Sequence, residues 1–159
     1  MLVAVQGYAA GAADALPAGG LPHVRIAVAG PSGGAQAKTA EAIASEAGAT
    51  AKWLTMLSQQ NARAPQGLST RMLPARYEVT IKDDGCDAAR AEAVAKEIVT
   101  ENFDLVLGHP CPKAELAAAK VYGTAGVTFI ATWTRHPGLT AKRAGPSIFR
   151  LSGRDDAQG

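Results

Sequence analysis

From His23 onward the apolar residues switch between alternation at every second position and stripes at every third or fourth, as expected for βαβ units that build a parallel sheet. The first strand is expected over Val24–Ala29, with Val24, Ile26 and Val28 on one face, Ala27 and Ala29 on the other, and Gly30-Pro31 as the stop. A helix follows from about Gln36 to Gln59, where Ile43, Ala47, Leu54 and Leu57 share a stripe in an Ala-rich stretch and Gly48 weakens the middle. Asn61–Pro74 has no clean period and reads as a connection. Tyr77–Lys82 alternates as a second strand and ends at Asp83-Asp84-Gly85; Asp87 then caps a helix that reaches about Glu101, with Ala91, Val94 and Ile98 on one face.

A third strand is expected at Leu105–Leu107 before Gly108, and a third helix at about Ala114–Ala125, stopped by Gly126. The unbroken apolar run Val127–Ala131 suits a buried fourth strand, and Ser147–Leu151 a short fifth. Ser152–Asp156 reads as the start of another helix, cut off at Gly159, so the chain is expected to be a fragment with one sheet face partly bare. The expected class is α/β, an open doubly wound parallel sheet in the order βαβαβαββ.

Composition narrows the picture. A chain of 159 residues, 47% hydrophobic and 19% charged, suits one ordered domain. Sixteen Lys and Arg against fourteen Asp and Glu leave a net charge of +2, with no block of like charge, which argues against a nucleic-acid partner. Residues 1–22 lie outside the periodic pattern: the apolar start and the Ala13-Asp14-Ala15 triplet suit a remnant export signal without its basic region, or a flexible tail. The ordered part is then expected over 23–159.

Candidate chemistry is sparse. Gly30-Pro31-Ser32-Gly33-Gly34, with Lys38 and Thr39 beyond it, joins a strand to a helix as a P-loop does. The spacing fails, because Ser32 and Ala37 stand where the G-x-x-x-x-G-K-S/T pattern needs glycines. The turn still lies at the carboxyl end of a parallel strand, where open α/β sheets bind ligands, and amides at a helix start favour an anion. Cys86 and Cys111 each follow a strand on that same edge. A disulfide, two unpaired thiols and a metal site with His109 are all open, and strands separated by a third would lie about 10 Å apart, so the loops must converge to bridge. His23, His109 and His136 form no triad with a nucleophile, and Asp83, Asp84 and Asp87 suit turns and caps better than catalysis. Trp133 and Arg135 follow the fourth strand, again at the ligand edge.

Gly30-Pro31, Asp83-Asp84-Gly85-Cys86-Asp87, Gly108-His109-Pro110-Cys111, Phe149-Arg150 and Gly153-Arg154-Asp155-Asp156-Ala157-Gln158-Gly159 occur in the order and spacing of one family. Over residues 24–159 the chain resembles the leucine/isoleucine/valine-binding proteins. The resemblance implies part of the first lobe of a two-lobed type I periplasmic binding protein, a Cys86–Cys111 disulfide, periplasmic location, no enzymatic chemistry and no cofactor. It also implies a small-molecule ligand closed between two lobes and an ABC permease in the inner membrane as partner, with a ligand-sensing domain of the same fold as the alternative. In the family's amino-acid binders a Ser follows GH-x-C and holds the ligand carboxylate; here Pro112 offers neither hydroxyl nor amide. The loop after the fourth strand usually carries small residues and a Thr, yet this chain has Thr132-Trp133-Thr134-Arg135-His136. An Arg repels an ammonium and suits a carboxylate, while a Trp stacks on a flat ligand. The expected ligand is an organic anion instead of an amino acid, with Ser32, Lys38, Pro112, Lys113, Trp133, Thr134 and Arg135 as the expected contacts.

Overall fold

The computed structural model describes residues 21–61 and 75–157. The leader-like residues 1–20 and nearly all of the expected Asn61–Pro74 connection lie outside them. In chain order the elements are β1 (His23–Gly30), α1 (Ala37–Asn61), β2 (Arg76–Asp83), α2 (Ala88–Thr100), β3 (Leu105–Gly108), α3 (Pro112–Ala125), β4 (Thr128–Ala131), α4 (Gly138–Ala141) and β5 (Ile148–Arg150). A final 3-10 turn spans Asp155–Ala157. The five strands form one sheet in the order β2-β1-β3-β4-β5, and every pairing is parallel. This is the expected α/β class.

The alternation in β1 sorts its residues as the sequence suggests. Ala27 and Ala29 are fully buried under α2 and α3, together with Val106, Phe129, Ala131 and Ile148 of the neighbouring strands. Against them α2 presents Ala91, Ala95 and Ile98, and α3 presents Ala114, Ala118, Ala119 and Tyr122. Small residues on both sides let helix and sheet approach closely, which favours dense packing.

The opposite face carries α1. Its most buried positions are Ala37, Ala40, Ala44, Ala51 and Ser58, one stripe round from the expected Ile43-Ala47-Leu54-Leu57 row. The smaller side chains take the line of closest approach to the sheet, and the larger Ile43 and Leu54 flank an open groove with Val24, Ile26, Leu105 and Leu107. Across the sheet Ile81, Val28, Leu107, Ile130 and Phe149 stand in one cross-strand row. Val28 is fully buried beneath α1, whereas Ile81 is 55% exposed and Phe149 44% exposed at the two edges. Among the described residues this face is only partly covered.

Local signals explain the boundaries. Asp87 caps α2 by accepting a hydrogen bond from the Arg90 amide at 2.8 Å. Gly126 ends α3 in the left-handed conformation, φ 75°. Two expectations need correction. The third helix begins at Pro112, two residues earlier than expected, because proline at the first helical position gives up only an amide that would lack a partner there. The helix start expected over Ser152–Asp156 is, among the described residues, a 3-10 turn at Asp155–Ala157, with Ser152 Oγ donating to the Trp133 carbonyl and the Asp155 amide to the Arg135 carbonyl of the loop after β4. The four-residue α4, between Pro137 and Lys142, has no counterpart in the sequence reading.

Candidate functional site

All strands being parallel, their carboxyl ends and the loops that leave them share one edge of the sheet, and every expected contact residue lies on or near it. After β1, Ser32 is exposed but engaged: its amide and hydroxyl donate to Asp83 at 3.0 and 2.6 Å. The same carboxylate accepts from the Gly85 amide at 2.9 Å and from Arg90 at 2.7 Å. The Ser32 hydroxyl, followed by its amide, holds Asp83 down at about 2 despite partial burial, and Arg90 adds to the effect. The chain's own carboxylate thus occupies the polar groups of Ser32 that an external anion would use. Lys38, on the first turn of α1, is exposed.

The loop after β3 is fixed from below. Gly108 has φ 121°, and a Cβ there would lie 2.1 Å from the Ala29 carbonyl oxygen, so only glycine fits. His109 follows at φ 49°, its ring fully buried, with Nδ1 2.7 Å from Asp84 Oδ2 and Nε2 3.0 Å from the Tyr122 hydroxyl. Asp84 Oδ1 accepts from the Cys86 amide at 2.8 Å. Asp84 is therefore both the turn residue the sequence suggested, through its bond to the Cys86 amide and the Asp87 amide's bond to its carbonyl, and a core partner of His109. Cys86, also left-handed at φ 56°, turns toward Cys111, and the two form a disulfide with their Cα atoms 5.4 Å apart. The convergence that strand spacing alone left open is achieved by these two turns. No group of three or more possible metal ligands occurs among the described residues. Pro112 and Lys113 are exposed on the first turn of α3.

The loop after β4 carries the most distinctive surface. Trp133 is 58% exposed, and Arg135 is partly exposed with its Nε 3.0 Å from Asp155 Oδ1. Thr134, between them, points inward, and its hydroxyl accepts from the His136 amide at 3.3 Å. Beneath this loop the structure places two residues absent from the expected set. Arg150, from β5, donates through Nη2 to the His136 carbonyl, while its Nε and Nη1 are buried without a partner. Glu115, from α3, is fully buried beside Thr134, yet neither carboxyl oxygen completes a hydrogen bond. Burial pushes the Glu115 carboxyl up to about 8, opposed by the positive charge of Arg150.

A sequence signal for Glu115 did exist. It stands at the head of the buried stripe Glu115, Ala118, Ala119, Tyr122, at i, i+3, i+4, i+7. A carboxylate in an Ala-rich helix is ordinarily assigned to the solvent side, which hides it.

No family model matches the chain. Over 85 residues it is 36% identical to the leucine-, isoleucine-, valine-, threonine- and alanine-binding protein of Pseudomonas aeruginosa, a match covering 54% of this chain and 22% of that protein. The Leu/Ile/Val-binding protein of Escherichia coli is 33% identical over 84 residues. The chain is similar to the leucine/isoleucine/valine-binding proteins. The fold agrees: the branched-chain amino acid transporter substrate-binding protein of Streptococcus pneumoniae, in complex with isoleucine, superposes with a TM-score of 0.57 at 24% identity, covering 84% of this chain and 34% of that one. A solute-binding protein of an ABC transporter from Rhodopseudomonas palustris, in complex with benzoate, superposes with a TM-score of 0.59 at 19% identity, covering 83% of this chain and 33% of that one. The chain thus has the fold of part of a type I periplasmic binding protein, and its matches span roughly a fifth to a third of these leucine/isoleucine/valine-binding-like proteins.

Proposed function

We propose that residues 23–159 form part of the first lobe of an extracytoplasmic solute-binding protein that delivers a small organic anion to an ABC permease, the ligand being flat and carboxylated instead of an α-amino acid. One observation carries the ligand class: Trp133 stands exposed and Arg135 partly exposed on the loop after β4, where a ring can stack and a guanidinium can fork onto a carboxylate. Pro112 supports it, since at the start of α3 it has neither the amide nor the hydroxyl that an amino-acid carboxylate would use. Arg135 meets Asp155 through Nε, which leaves the outer edge of its guanidinium for a ligand. Relatives of this fold include both an isoleucine complex and a benzoate complex, so the scaffold accommodates either class. The cleft would close against a second lobe, in the periplasm, without chemistry on the ligand and without a cofactor.

Calorimetric titration of the complete protein with benzoate and with leucine tests the reading. Benzoate is expected to bind and leucine not, and Arg135→Ala should weaken benzoate roughly 10- to 100-fold, the worth of a charge-assisted contact of about 1.5–3 kcal/mol. Tight leucine binding, or anion binding indifferent to Arg135→Ala, overturns it.

A further inference from the structure

Beneath the Trp133–Arg135 loop lie Arg150, partly buried, and Glu115, fully buried, each with polar atoms that are incompletely satisfied. Arg150 holds the loop by a single donated bond to the His136 carbonyl, with Nε and Nη1 buried and free. Glu115 approaches from the opposite element, fully buried, with both oxygens free, and Arg150 is the charge that acts on it. Two further charges bear on this place: the Asp156 carboxylate, which the positive charge of Arg150 helps to hold down, and Arg135, whose Nε is buried 3.0 Å from Asp155 Oδ1. The core residues of α2 and α4 are Ala91, Ala95, Ile98 and Leu139; Thr134 comes from the loop, flanked by Arg135 and His136; Lys113 is exposed on the helix of Glu115. Asp84, the other buried acid, is taken up by His109 and the Cys86 amide.

Two arrangements are therefore available to Arg150. With Glu115 protonated, the guanidinium stays on the His136 carbonyl. With Glu115 ionised in so dry a place, the unpaired carboxylate is costly, and the two free N–H groups of Arg150 are the donors suited to offset it. We propose that Glu115 is a positioning residue of the site: protonated, it leaves Arg150 to fix the Trp133–Arg135 loop, and on losing its proton it draws Arg150 off that loop and weakens the binding of an anion. The inference rests on the anion reading for its ligand consequence and on Glu115 and Arg150 alone for its loop consequence.

The carboxyl sits at about 8, so the change falls just above neutrality. The same shift fixes the sign for stability. An acid whose folded value is raised from 4.5 to about 8 lowers stability as pH rises between those values, because the unfolded chain ionises first. Glu115→Gln, which keeps shape and removes the ionisation, should be at least as stable as the parent at pH 7.

The test has two arms. In the 159-residue chain carrying Trp53→Phe, Trp133 is the sole tryptophan, and its iodide quenching is followed from pH 6.5 to 9.5 without ligand. The parent is expected to show a transition near 8 that Glu115→Gln lacks. Subtracting the Glu115→Gln profile removes the part of any other group that titrates in this range. In the second arm benzoate affinity of the complete protein falls several-fold across the same range in the parent and stays flat in Glu115→Gln. Arg150→Lys, which keeps the charge and loses the fork, should abolish the tryptophan transition as well. A transition that persists in Glu115→Gln, or a parent without one, overturns the proposal. If benzoate fails to bind at any pH, the anion reading fails and the ligand-free arm still decides the role of Glu115.

Discussion

Asp84, His109 and Tyr122 are each fully buried and joined in series, Asp84 to Nδ1 and Tyr122 to Nε2 of the same ring. A polar chain in such a place is stable only while every member is satisfied, so the effects of deletion should be graded. Asp84→Ala strands both the imidazole and the Cys86 amide and is expected to cost about 3–5 kcal/mol in urea denaturation. Tyr122→Phe removes one neutral bond and leaves His109 Nε2 buried without a partner, and should cost about 1–3 kcal/mol. The reverse order would show that the carboxylate is dispensable. Asp83, one position earlier, behaves oppositely with pH to Glu115. Its folded value, about 2, lies below the ordinary 3.8, so its contribution is complete above about pH 4 and lost as pH falls through 2. An acid titration followed by circular dichroism should therefore show a stability decline between pH 4 and 2 that Asp83→Asn flattens. These two acids are adjacent and of one type in the sequence, and nothing in it separates them. Only the pairing of Gly30 with Asp83 across β1 and β2, and the turn after Gly108, decides which carboxylate meets Ser32 and which enters the core.

At the scale of the elements, strands and helices were legible wherever an apolar period was bounded by glycine or a capping aspartate, as at β1, α2 and the end of α3. Legibility failed where tertiary contacts decide. The four residues of α4 carry too short a pattern to register, and the burial stripe of α1 follows the small residues that fit against the sheet instead of the larger apolar ones. The disulfide belongs to this scale, since it ties the loop before α2 to the loop before α3 across the width of β1, at a sequence separation of 25. Closing a loop of that length restrains the unfolded chain by about 3 kcal/mol. Reduction is expected to add about two daltons to the intact mass and to lower the denaturation midpoint by a corresponding amount. The Cys86→Ala/Cys111→Ala double variant should reproduce the loss without reductant. Equal midpoints with and without the bridge would mean that Asp84 and His109 hold the two loops together unaided.

For the whole molecule, the sheet is covered unevenly. One face is closed by α2 and α3 over fully buried residues, whereas the other has α1 set along β1 and β2 with open apolar ground beside it. That ground is continuous from Leu105 and Leu107 through the row that ends at Phe149, with Leu151 73% exposed just beyond. Adjacent apolar residues on one face give a dye a site that scattered single ones do not. The chain is therefore expected to bind 1-anilinonaphthalene-8-sulfonate while keeping its near-ultraviolet circular dichroism, a combination that separates a native apolar face from a loosely packed state. Leu107→Glu places a charge in the middle of the row and should reduce the dye signal several-fold with little loss of stability, since the residue is only partly buried there. If Leu107→Glu instead unfolds the chain, or the dye does not bind, this face is sealed more tightly than its exposure indicates. Because the matched solved relatives are about three times as long as the part this chain covers, the same dye assay on the complete protein has a defined expectation. A longer polypeptide that lays further structure on this face would lose the dye signal and keep the carboxyl edge free, since the open groove and the Trp133–Arg135 loop occupy different parts of the molecule.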